Sequence, residues 1–202
     1  MKKFRKPLKL LVVHILIKLR FGLLVNFQEL RASKWHIDFI IHLVTIIKPR
    51  NYLEIGIYKA GLLNYLIDFI PEITAVDINP ESARYIKKKS KVNLINMNSI
   101  DFWEINTKKF DMIFIDGNHS KEYVEKDFYG AMNSLNDEGI LLIHDTYPKD
   151  KEATNPDRCD DGFLAVQKIG RVTVDFEIMT IPVHPGLTLI RKRKFQVPWL
   201  ED

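Results

Sequence analysis

Apolar positions along this chain alternate between two spacings. Ile37, Ile40, Ile41, Val44 and Ile47 recur every three to four residues, the spacing of one helix face, and Pro49 stops the pattern. NYLEIG at 51–56 is a short apolar run closed by glycine, which reads as a buried strand. A helix is then predicted over 60–69, ended by Pro71, and ITAVDINP forms the second strand. A helix over 81–89, a third strand VNLINM and a fourth, FDMIFIDG, follow. The fourth is almost continuously apolar, as expected of a strand covered on both faces. A helix over 121–135 leads to a fifth strand, GILLIHDT. Beyond Pro148 the polar stretch KDKEATNPDRCDDG predicts a loop, before a helix over 163–169 and two last strands, VTVDFEIM and GLTLIRKR. Strands alternating with helices at this spacing imply an α/β fold, a doubly wound, mostly parallel sheet with helices on both faces.

The first residues follow another rule. Leu8, Leu11, Val12, Ile15, Leu16 and Leu19 fall at helical spacing beside Lys9, Lys18 and Arg20, which predicts a basic amphipathic helix. Such a helix can lie on an anionic membrane surface, pack on a partner or dock on its own domain. His14, Lys18 and Arg20 interrupt the apolar run, and no small-residue cleavage site follows, so it reads neither as a signal peptide nor as a span of about 20 apolar residues. The expected organisation is an extension over 1–34 and one domain over 35–202.

Composition narrows the class. With 46% hydrophobic and 28% charged residues in 202, the chain is an ordinary globular one, large enough for one substantial core. The net charge of +4 comes from local lysine and arginine patches without a nucleic-acid motif, so no nucleic-acid partner is expected. A single cysteine, Cys159, excludes an internal disulfide and a thiolate metal cage and favours a reducing, cytoplasmic setting. Acidic neighbours Asp157, Asp160 and Asp161 should keep its thiol protonated and inert.

Ligands of open α/β sheets bind at the carboxyl ends of the strands. After the first strand come Glu54, Gly56, Tyr58, Ala60 and Gly61, where Gly56 permits a tight turn and close backbone approach. Tyr58 occupies the place of the second glycine of a dinucleotide fingerprint, which disfavours NAD. Asp77 ends the second strand, where a carboxylate can accept both hydroxyls of a ribose.

LEIGIYKAG, AVDINP, NSIDF, FDMIFIDGNH and GILLIHDT together resemble the successive motifs of class I S-adenosylmethionine-dependent methyltransferases. The resemblance is strongest to the small-molecule O-methyltransferase branch that includes catechol O-methyltransferase and the methyltransferase-24 group, and it covers residues 35–190 of this Rossmann-like domain. It implies S-adenosylmethionine as cofactor, contacted by Glu54, Gly56, Tyr58, Ala60, Asp77, Ser99 and Asp116. It further implies a divalent cation such as Mg2+ at Asp116, Asp145 and Thr146, with Asn118 nearby. Thr146 stands where the branch has asparagine, and Ala60 where it has glycine. His119 falls at the place of a basic lysine and is the candidate general base, with His144 as the other candidate and Asp116 facing both cofactor and acceptor. The expected acceptor is a small molecule or saccharide precursor. A homodimer and peripheral membrane contact through the first helix are further expectations. The alternative is a catalytically silent nucleoside-binding domain that serves as a partner protein.

Overall fold

The structure, a computed structural model, describes residues 34–172 and 175–193. The chain divides into two units, Met1–Trp35 and His36–Asp202. The first lies almost wholly outside the described residues, and with it the expected amphipathic helix over 1–34 and its membrane contact. Among the described residues no helix is long and apolar enough to cross a membrane.

A helix, α1 (Trp35–Ile47), precedes the central strand β1 (Asn51–Ile55). There follow a single helical turn α2 (Leu63–Leu66), β2 (Glu72–Asp77), β3 (Val92–Asn96), α3 (Ser99–Ile105), β4 (Phe110–Ile115) and α4 (Lys121–Ser134). The chain continues through β5 (Leu135–His144), α5 (Gly162–Val172), β6 (Phe176–Ile181) and β7 (Leu187–Lys192). The seven strands lie in the order β3-β2-β1-β4-β5-β7-β6, parallel except where β7 enters antiparallel to β5 and β6. The doubly wound, mostly parallel sheet expected from the alternation of patterns is therefore the one observed. Leu53, Ile113, Phe128, Leu141 and Ile143 form the centre of one continuous core, all at most 1% exposed.

Register places the chemistry. Ile55 pairs with both Val76 and Ile115, so Gly56, Asp77 and Asp116 leave three adjacent strands at one level. Strand order reverses between β1 and β4, and that reversal opens the crevice where such sheets bind ligands. At the opposite end Asp111 accepts the backbone N–H of Arg50 (2.8 Å) and the side-chain amide of Asn136 (2.7 Å), fastening β1, β4 and the start of β5.

Local chemistry shifted several boundaries. The helix expected over 60–69 is only one turn long, because Tyr58 (φ 47°) and Ala60 (φ 52°) hold left-handed conformations that build turns first. Residues 80–85 and 89–91 form 3₁₀ turns, the first capped by Asn79, whose side chain accepts from Glu81 N at 3.0 Å. Helix α3 was not expected from the pattern; Asn98 starts it by accepting from Ile100 N at 3.0 Å. The first of the two last strands begins at Phe176, later than its apolar run suggests.

On α4 the buried face carries Val124, Phe128, Ala131 and Met132. Trp103 of α3 lies flat over Gly130, so that a Cβ there would overlap the indole ring. Gly130→Ala is therefore expected to destabilise the fold by about 1–3 kcal/mol through overpacking. That is opposite in sign to the roughly 1 kcal/mol alanine gains over glycine in an open helix. Urea unfolding checks the sign.

Candidate active site

Gly56 (φ 81°) turns the chain sharply out of β1, and a Cβ on it would overlap the carbonyl oxygen of Asp116. The two strand ends are joined by Asp116 N donating to Ile55 O at 2.8 Å, and β2 joins them through Gly56 N to Val76 O at 2.8 Å. Asp77 completes this cradle. Its Oδ2 accepts from the backbone N–H of Ile57 (3.0 Å) and Tyr58 (2.9 Å), and its Oδ1 from Asn79 N (2.8 Å). One carboxylate thus sets the shape of the loop after β1, and it lines the cleft beside that loop.

That cleft has a volume of about 540 Å³ and runs over the ends of β1, β2 and β4. Gly56, Tyr58, Asp77 and Ser99 line one part of it, Asp116, Asn118 and His119 another. Ala60 is fully buried beneath the loop, and Glu54 is 2% exposed and lies in the strand. Tyr123, half-buried on α4, also lines the cleft and accepts from Asn98 Nδ2 at 3.2 Å; neither residue stood out in the sequence as part of a site. Asn118 is engaged in its own turn, accepting from Ser120 N at 2.9 Å.

Beside the cleft the ends of β4 and β5 bring together Asp116, His144 and Asp145. One donor atom from each lies within 4.8 Å of the other two. His144 Nδ1 is shared between Asp116 Oδ1 (2.9 Å) and Asp145 Oδ2 (3.1 Å). Its Nε2 meets Nδ1 of His36, on α1, at 3.1 Å. Asp145 (φ 58°) takes the left-handed conformation that aspartate tolerates, and its Oδ2 also faces His119 Nε2 at 3.2 Å. Burial opposes charge on both members of the central pair, yet the pairing outweighs it. His144 is pushed up to about 10 by Asp116 and Asp145, and Asp116 is held below the usual carboxylate range by His144, His119 and His36. His144 accordingly carries its proton at neutral pH.

Thr146, expected as the third oxygen ligand, points elsewhere: its hydroxyl accepts from Thr188 at 2.8 Å, and Thr188 bonds Thr180 at 2.8 Å. In this fold the chain leaves β5 so that His144, one residue before Asp145, takes the third place in the cluster. Cys159 is 1% exposed, and its Sγ donates to Asp145 Oδ1 at 3.4 Å. Burial and then Asp145 push the thiol up to about 12, so it is inert as expected, though the acidic neighbour responsible is Asp145 rather than the adjacent aspartates.

Glu54 accepts from the Tyr52 hydroxyl at 2.8 Å. Burial pushes its carboxyl up to about 8, with Asp116 and Asp77 adding to the rise and the Tyr52 bond opposing it. The folded protein therefore keeps this proton where the unfolded chain, titrating near 4.5, has lost it. Stability from this group is full below about pH 4.5 and falls as pH rises towards 8, by at most about 1.4 kcal/mol per pH unit. Glu54→Gln, which keeps an acceptor for Tyr52, is expected to flatten the decline in melting temperature between pH 5 and 8.

Comparison with known proteins agrees with this geometry. Residues 53–146 match the family model described as a methyltransferase domain. No curated protein sequence matches the chain. Among solved structures, the S-adenosylhomocysteine-bound methyltransferase PaMTH1 of Podospora anserina superposes with a TM-score of 0.67 at 19% identity, over 80% of each chain. The O-methyltransferase TomG of Streptomyces achromogenes, in complex with S-adenosylmethionine, gives 0.66 at 18% identity, covering 88% of this chain and 86% of its own. An O-methyltransferase of Bacillus cereus in complex with S-adenosylhomocysteine gives 0.66 at 15%, over 95% and 93%. The likeness of the motifs to those of class I enzymes is borne out: residues 53–146 match a methyltransferase domain, and the chain shares the fold of these S-adenosylmethionine- and S-adenosylhomocysteine-bound enzymes.

Proposed function

We propose that this protein transfers the methyl group of S-adenosylmethionine to an oxygen of a small molecule, with His119 as general base. The observation that carries the reading is the cleft that Asp77, Asp116 and His119 line together, with Asp145 beside it, 3.2 Å from His119 Nε2. Structural neighbours described as O-methyltransferases support the choice of oxygen. A saccharide precursor is one acceptor of this chemical type.

The cofactor fits the cradle after β1. Asp77 would take the ribose hydroxyls, Ser99 and Tyr123 the base end, and the Gly56 backbone, with Glu54 buried behind it, the amino-acid end. When bound, the cofactor supplies an electrophilic methyl carbon. Asp145 holds the Nε2–H of His119, which leaves Nδ1 to receive the acceptor's proton, and the same carboxylate stabilises the imidazolium that results. With the cofactor bound, His119 would take the proton that the acceptor oxygen gives up as it is methylated. His144, already protonated, is not free to act as base.

A divalent cation also fits, held by Asp116, Asp145 and His144, whose donor atoms converge. When bound it lowers the pKa of an acceptor hydroxyl. His144 would then exchange its Nδ1 proton for the metal, so binding releases a proton and weakens as pH falls.

Calorimetric titration with S-adenosylmethionine and S-adenosylhomocysteine, with NAD as control, tests the class. Binding of the sulfur nucleosides alone is expected; binding of NAD alone would refute it. Asp77→Ala should weaken cofactor binding by about 1–3 kcal/mol, the cost of lost buried hydrogen bonds. His119→Ala should lower kcat by about 10²–10⁴-fold, the usual share of a general base, with cofactor Kd unchanged. A chelator should abolish transfer, and full activity in its presence would discard the cation.

A further inference from the structure

We propose that His36, on the helix before the domain's first strand, is a positioning residue that selects the metal of this site, a proposal that rests on the cation reading above. His36 is 8% exposed and His144 9%, and their rings lie 4.0 Å apart at 50°. His36 Nδ1 is 3.1 Å from His144 Nε2, while His144 Nδ1 lies within 2.9–3.1 Å of both carboxylates.

A histidine that ligates a metal through Nδ1 must carry its remaining proton on Nε2, and a partner there fixes both tautomer and ring orientation. His36 is that partner: its Nδ1 lone pair accepts His144 Nε2–H. The tilted His36 ring packs against His144 and opposes its rotation out of the cluster. With His144 so held, the donor set is one imidazole nitrogen and two carboxylates. Imidazole favours zinc, iron and other first-row ions, whereas an all-oxygen set suits Mg2+. His36 thereby makes the site prefer a first-row divalent ion such as Zn2+, without itself touching the ion.

The test measures Zn2+ and Mg2+ affinity of the full-length protein by calorimetry, with S-adenosylhomocysteine binding measured in parallel. In wild type Zn2+ should bind more tightly than Mg2+. His36→Phe keeps the bulk and removes the acceptor; it should lower Zn2+ affinity by about 10–100-fold and Mg2+ affinity by less than about threefold. His36→Asn, whose Oδ1 stands near the place of histidine Nδ1, should restore most of the Zn2+ affinity. In the zinc-loaded wild type, nitrogen-resolved NMR should show His144 protonated on Nε2. Should His36→Phe fail to fold, His36→Leu takes its place. Unchanged Zn2+ affinity in the folded apolar variant overturns the proposal, as does equal loss in His36→Asn, which would mark a purely structural role. A wild type that binds the nucleoside but no divalent ion overturns this inference and leaves the methyltransferase reading standing. If neither binds, both fall.

Discussion

The carbonyl oxygen of Asp116 occupies the space that a side chain on Gly56 would need. Everything functional in the domain is built on that approach. Because the two backbones touch, β1 and β4 end side by side, the crevice opens where the strand order reverses, and the Asp116 carboxylate is delivered to its rim. Asp77 then fixes the third wall by gathering three backbone N–H groups that would otherwise be orphaned in the loop. The cleft is thus shaped by main-chain hydrogen bonds before any ligand arrives, which limits the ordering that binding must impose.

Charge is distributed along the crevice with opposite outcomes. Glu54, deep in the sheet, remains protonated because burial and two acidic neighbours disfavour its ionised form. Asp116, no less surrounded, stays ionised because histidines face it. The neighbouring ends of β1, β2 and β4 therefore bring together Glu54, Asp77 and Asp116 without collecting three negative charges. The His144 proton plays the part of a cation between Asp116 and Asp145 and offsets part of the acidic charge gathered there.

The strand ends were legible in the sequence because chain order alone says which residue follows each apolar run. Gly56 and Asp77 could be singled out in this way, the family resemblance added Asp116, His119 and Asp145, and the structure brings them together at and beside one crevice. Contacts between distant segments were not legible. His36 and His144 are separated by 108 residues, and nothing in the periodicity of α1 distinguishes His36 from an ordinary packed side chain. Ala60 was read as the start of a helix over 60–69, while the positive φ values at Tyr58 and Ala60 belong to the loop that Asp77 shapes. Thr146 was assigned by analogy to an asparagine ligand, but its shorter side chain finds a complete partner in Thr188.

The only cysteine of the chain is sealed beneath the segment that follows β5, with its sulfur against Asp145 and the carbonyl of Pro185. An undissociated, enclosed thiol is a poor nucleophile, so alkylating reagents and peroxide should leave the closed state untouched. Each labelling event would then record an opening in which Cys159 parts from Asp145. The labelling rate of Cys159 therefore reports on any opening that uncovers Asp145.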